Sequence, residues 1–106
     1  MSDQPAHISM AFLTFRDEAP QHAAAWGEMV QKLGEASALD GKTAALAYLA
    51  VLAALRMESG IPFHVTAAKA LGASREEVIS AVLVGLPAAG HRVTQMLPAA
   101  ITAYDA

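Results

Sequence analysis

Cysteine is absent from the 106-residue chain. Its absence excludes disulfides, thiolate metal sites and any cysteine nucleophile, since each needs a sulfur atom. Charge is scarce as well: 16% of residues are charged against 55% hydrophobic, with a net charge of −3 at pH 7. The cations are scattered, so no electrostatic footprint for nucleic acid is present and no nucleic-acid partner is expected. The longest apolar run, Ala44–Leu55, is twelve residues, short of the roughly 18–20 that a membrane span needs, so no membrane partner is expected either. Met1-Ser2-Asp3-Gln4-Pro5 carries neither the basic stretch nor the apolar segment of an export signal, and a cytoplasmic location is the expectation. His7 and His22 have no partners at a ligand spacing, so no metal and no cofactor are implied.

What the chain does have is apolar surface in excess. One small domain, residues 1–106, buries only a little over half of the surface its unfolded chain exposes, yet Ala44–Leu55 is apolar all round. The inference is a symmetric oligomer in which some helices pack between subunits. Acidity is uneven: residues 1–40 hold six acids and two bases, residues 41–106 four acids and five bases. The second stretch tolerates an anionic ligand better than the first.

The pattern is all-α. Residues 1–7 are polar and expected to fray, and Ile8–Phe15 reads as either a helical turn or an extended arm. Ala23, Trp26, Val30 and Leu33 recur on one face of a helix that starts near Pro20. Asp40 is placed to cap a third helix running to about Glu58. A fourth runs to Leu71, where Gly72 stops it. Ser74 and Glu77 form a capping box for a fifth, which ends near Gly85 or Pro87. The last helix is short, kinked or begun at Pro98. The repeated Leu-Pro-Ala-Ala at 86–89 and 97–100 reads as composition. Met10, Met29, Met57 and Met96 read as core filler, and Trp26, Tyr48 and Tyr104 as core or interface anchors.

Candidate chemistry concentrates at Arg56-Met57-Glu58-Ser59-Gly60-Ile61-Pro62-Phe63-His64, a helix–break–helix corner. Gly60 suits the break, Pro62 suits the first turn of the new helix, and His64 falls in that turn. The positive end of the helix disfavours an imidazolium there, which makes His64 a usable base. Its ordinary alternative is a structural histidine bonded to a backbone carbonyl. Glu58 is the carboxylate nearest in sequence; it can orient or pair with His64, or simply be a solvated helix-end residue. Arg56, His91 and Arg92 are candidates to hold a substrate carboxylate, a task that guanidinium geometry suits. They would form a small basic pocket with His64 if the last helices fold back over the corner.

Leu39-Asp40-Gly41-Lys42, then Ile61 and His64, then Ala67-Ala68 and Gly72-Ala73-Ser74-Arg75-Glu76-Glu77-Val78 resemble the carboxymuconolactone decarboxylase/AhpD-like (alkylhydroperoxidase-like) family, over roughly residues 39–90. The resemblance implies an AhpD-like bundle of about six helices with residues 1–38 as an arm and helix. It also implies assembly as trimers or hexamers and a pocket drawing on the 91–92 region. The redox members' two cysteines correspond to Met57 and Gly60, and their helix glutamate to Ala45, so the thiol machinery is missing.

Three functions follow as expectations. The first is a non-redox lyase acting on a small carboxylated lactone, with His64 as acid/base. The second is a catalytically silent oligomer that binds a small ligand or a partner protein. The third, thiol peroxidase chemistry, lacks its nucleophile. Purified protein supplied with dihydrolipoyl or thioredoxin-type donors should therefore reduce hydroperoxide no faster than buffer, measured as donor oxidation; any turnover above buffer would contradict this.

Overall fold

The computed structural model of the protein describes residues 8–106, and the expectations for residues 1–7, His7 included, lie outside it. The described chain is helical without a strand and falls into two compact units, one up to Asp40 and one from Gly41 to Ala106.

In the first unit, α1 (Met10–Glu18) and α2 (Pro20–Ala36) form a hairpin. The Ile8–Phe15 piece is thus helical over most of its length. Ser9 is the reason it starts where it does: its Oγ accepts the Phe12 N–H at 3.2 Å. Phe12 meets the Trp26 ring edge to face at 5.3 Å, and Phe15 meets it at 6.4 Å, the geometry favoured by the ring quadrupoles. This hairpin buries little else. Leu13 is its one buried residue, and α2 buries none. The periodic face predicted on α2 exists, but Trp26, Val30 and Leu33 are exposed.

The second unit is a ring of four helices: α3 (Gly41–Ala54), α4 (Ile61–Ala70), α5 (Arg75–Leu83) and α7 (Leu97–Asp105). Helix α3 packs on α4 and α5, and α7 packs on both of those in turn. Leu49 and Leu52 of α3, Ile61 and Val65 of α4, Val78 and Val82 of α5, and Ala100 of α7 meet in the middle. A short helix α6 (Leu86–Ala89) and two 3-10 turns carry the chain from α5 to α7.

Local chemistry explains the boundaries. The Ser74–Glu77 capping box is formed: Ser74 Oγ accepts the Glu77 N–H at 3.0 Å, and Glu77 Oε1 accepts the Ser74 N–H at 2.9 Å. Leu-Pro-Ala-Ala proves to be more than composition, for each copy opens a helix with Leu first and Pro second. Ile61-Pro62 does the same for α4. A proline there forfeits no intrahelical hydrogen bond.

Helix α3 ends earlier than expected, at Ala54 instead of near Glu58. The Arg56 N–H donates to the Ala53 carbonyl at 3.1 Å and the Met57 N–H to the Leu52 carbonyl at 2.9 Å, the paired reversed bonds of a Schellman motif. That motif needs a left-handed residue, and here it is Arg56, at φ 58°; Gly60 lies in the right-handed region at φ −88°. Helix α4 ends with the same pair of bonds, Gly72 to Lys69 and Ala73 to Ala68, around Gly72 at φ 97°. Past this corner Met57 is half exposed and not core filler. Met10 and Met29 are also exposed, and Met96 alone of the four is buried.

The final turn of α7 is fastened to the α4–α5 junction. Tyr104 Oη donates to the Ala73 carbonyl at 2.8 Å, and Lys69 Nζ donates to the Tyr104 carbonyl at 2.6 Å while lying 4.7 Å from that ring's centre. Arg75 holds Asp105 through two bonds, at 2.9 and 3.2 Å.

An L-residue in the left-handed region is disfavoured by about 1 kcal/mol or more relative to glycine. Arg56→Gly should therefore raise stability by roughly that amount, measured as a later urea midpoint with an unchanged m-value. An earlier midpoint would mean that the arginine side chain contributes more than its backbone strain removes.

Candidate functional site

The corner between α3 and α4 sets His64 in place. Ile61, fully buried, anchors the start of α4, and Pro62 stiffens its first turn. His64 lies just beyond, half-buried. Its ring is 4.5 Å from that of Tyr48, tilted by 47°, and 5.1 Å from that of Phe63, nearly perpendicular. Tyr48 comes from the middle of α3, so the imidazole sits where the antiparallel α3 and α4 face one another. A Cβ added at Gly60 would lie 3.9 Å from His64 Cδ2. A side chain at position 60 would therefore be the imidazole's immediate neighbour.

Withdrawal from water lowers the His64 pKa below its ordinary 6.5, and no carboxylate contributes to the shift. The native ring is a neutral imidazole at pH 7, able to accept a proton.

The remaining sequence candidates are distributed differently. Arg56 is the exposed left-handed residue of the corner, and Glu58 is exposed in the 3-10 turn Glu58–Gly60. His91 and Arg92 are exposed in the 3-10 turn Gly90–Arg92, entered through Gly90 at φ 73°. Thr94 Oγ1 donates to the His91 carbonyl at 2.8 Å. Among the described residues, no ion pair joins His64 to Glu58. The structure thus brings His64 together with two aromatic rings, Tyr48 and Phe63, and leaves the four polar candidates on exposed turns.

A second feature was not anticipated from the sequence. An open groove of about 670 Å³ runs between α3 and α5, with Leu46, Ala47, Ala50, Ala81 and Val84 along it. Lys42 and Glu77 stand at one end, bonded at 3.1 Å. Glu77 is held below the usual carboxylate range, first by its bond from the Ser74 backbone and then by Lys42. The pair ties the beginning of α3 to the beginning of α5.

Lys42 and Glu77 both belong to the sequence motif noted above. The family model described as "Carboxymuconolactone decarboxylase family" matches residues 20–102. The chain belongs to the carboxymuconolactone decarboxylase family. The match extends beyond the motif-bearing stretch into α2 and α7. Comparison with curated proteins and with solved structures finds no match. This member of the family has no cysteine. No described helix is long and apolar enough to cross a membrane.

The lowered His64 pKa has a consequence for acid stability. The native state binds this proton less readily than the unfolded chain, so the stability present above pH 6.5 is lost as pH falls from there through the lower native value. His64→Gln should flatten the pH dependence of the urea midpoint in that window. Ring C–H shifts of the wild type should place the His64 midpoint below 6.5; a midpoint above it would refute the assignment.

Proposed function

We propose that this family member is a non-redox lyase acting on a small carboxylated lactone, with His64 as the group that moves a proton to or from carbon. The carrying observation is a half-buried, neutral imidazole at a corner whose other walls are Tyr48 and Phe63. Decarboxylation of a β,γ-unsaturated carboxy-lactone requires proton delivery to carbon as CO₂ leaves. The electron pair of the broken C–CO₂ bond passes into the conjugated lactone, and the small protonated fraction of His64 returns a proton to carbon and takes another from water. Arg56, at the same corner, is the cation in this reading that meets a substrate carboxylate, and Arg92 with His91 is the alternative anion contact. Glu58 would act only on a substrate already bound, since it does not touch the imidazole. A cytoplasmic homo-oligomer is the setting of this proposal, and the uncovered apolar faces of α2 and α3 support assembly.

A second reading is a catalytically silent oligomer that binds a small ligand or a partner protein. It is favoured by the lack of any carboxylate against His64 and by Ala45, Met57 and Gly60 standing where the active redox members carry their chemistry.

Turnover on a panel of carboxylated lactones and related enol acids separates the two. The lyase reading expects substrate loss with the wild type and a drop of about two to four orders of magnitude on His64→Ala, the usual contribution of acid–base catalysis. Equal turnover by both proteins, or none by either, removes it. Ligands that raise the melting temperature while every assay stays silent establish the second.

A further inference from the structure

The chain has two tyrosines, and their hydroxyls are used differently. Tyr104 Oη donates to the Ala73 carbonyl at 2.8 Å and so belongs to the lock on α7. Tyr48 Oη makes no hydrogen bond among the described residues, and the residue is 46% exposed. Its ring is nevertheless set in place. The neighbouring Leu49 and Leu52 are buried, α3 packs on α4, and the phenol ring lies 4.5 Å from the His64 imidazole. Of the two rings beside that imidazole, only this one carries a polar atom. Gly60, where a Cβ would lie 3.9 Å from His64 Cδ2, contributes no side chain and leaves room there.

The lyase reading leaves one requirement without a residue. As the C–CO₂ bond breaks, its electron pair passes through the conjugated lactone onto the carbonyl oxygen, which becomes anionic. His64 handles the proton, and Arg56 or Arg92 meets the carboxylate; none of them stabilises that oxygen. A hydrogen-bond donor aimed at the atom where charge develops meets this need, and a phenol hydroxyl is such a donor. We propose that the Tyr48 hydroxyl hydrogen-bonds the lactone carbonyl oxygen of a substrate lying beside His64, and that this bond strengthens as the oxygen takes up charge. The phenol keeps its own proton throughout, since carbon receives one from His64 and CO₂ leaves without the electron pair. Ring and hydroxyl thus have separate tasks: the ring shields the imidazole from water, and the hydroxyl meets the substrate. Specificity follows, because an acid whose carboxyl is not conjugated to a carbonyl gives the hydroxyl no oxyanion to hold. The inference rests on the lyase reading for its substrate class.

Tyr48→Phe keeps the ring and removes the hydroxyl. On any lactone that the wild type turns over, it should lower kcat by about a hundredfold and leave KM nearly unchanged, as expected when one donor to a developing oxyanion is lost. The same variant should leave the urea midpoint and the His64 ring C–H titration where they are. Tyr48→Ala removes the ring as well, and should move the His64 midpoint up toward 6.5. Unchanged kcat in Tyr48→Phe, with the wild type active, overturns the assignment and leaves the lyase reading intact. An earlier urea midpoint in Tyr48→Phe also overturns it, since the hydroxyl would then have a partner inside the fold. A silent lactone panel removes the lyase reading, and the contact is then decided by binding of furoate, a planar five-membered ring carrying anionic oxygens. Followed by NMR titration, several-fold weaker binding to Tyr48→Phe than to the wild type upholds the hydroxyl as a ligand contact. Equal affinity, or no binding to the wild type, overturns it.

Discussion

The hydrogen bond from the Met57 amide to the Leu52 carbonyl, 2.9 Å long, closes helix α3 and aims the chain into α4. It forms only because Arg56 accepts a backbone conformation that an L-residue resists. With the reversal made there, Ile61 drops into the core and Pro62 starts a helix antiparallel to α3. His64 then stacks on a residue sixteen positions earlier. Had α3 continued to Glu58, the first turn of α4 would fall elsewhere and Tyr48 would lose its neighbour. The imidazole's partial burial, and hence the lowering of its pKa, depends on the corner that this strained residue makes.

A second fastening works at the opposite end of α3. Lys42 and Glu77 bond across thirty-five residues, and Glu77 simultaneously completes the cap of α5. One carboxylate thus serves a local and a tertiary purpose. Its partners are short-range amide, hydroxyl and ammonium donors that all favour the ionised form. The Lys42–Glu77 bond ties the beginning of α3 to the beginning of α5 beside the groove that lies between them.

Much of this was legible in the chain. The capping box at Ser74, Pro62 in a first turn, and the helix-period face on α2 are short-range signals carried by residue types with one preferred setting. The all-α class followed from the same kind of local pattern, and the family from a resemblance over residues 39–90. The left-handed residue at the end of α3 was hidden because arginine does not advertise that conformation, whereas Gly72 at the end of α4 does. The Tyr48–His64 contact was hidden because it depends on how far α3 runs before reversing, and the helix ends four residues short of the expected position. Periodicity identified an apolar face on α2 but carries no information about what covers it. The half-exposed Met57 and the exposed turns holding Glu58, His91 and Arg92 depend likewise on where the helices stop.

The bonds that lock α7 join residues 30 to 35 positions apart, and they involve Tyr104 and Asp105, in the final turn of that helix. During synthesis, an α3–α4–α5 segment emerging from the ribosome has its core open on the side that α7 will fill. Val65, Val78 and Val82 stay wet until α7 is released, 22 residues after α5 is complete. The ring therefore closes only once α7 has left the exit tunnel, and the nascent chain carries an exposed apolar cleft for as long as the tunnel holds that helix.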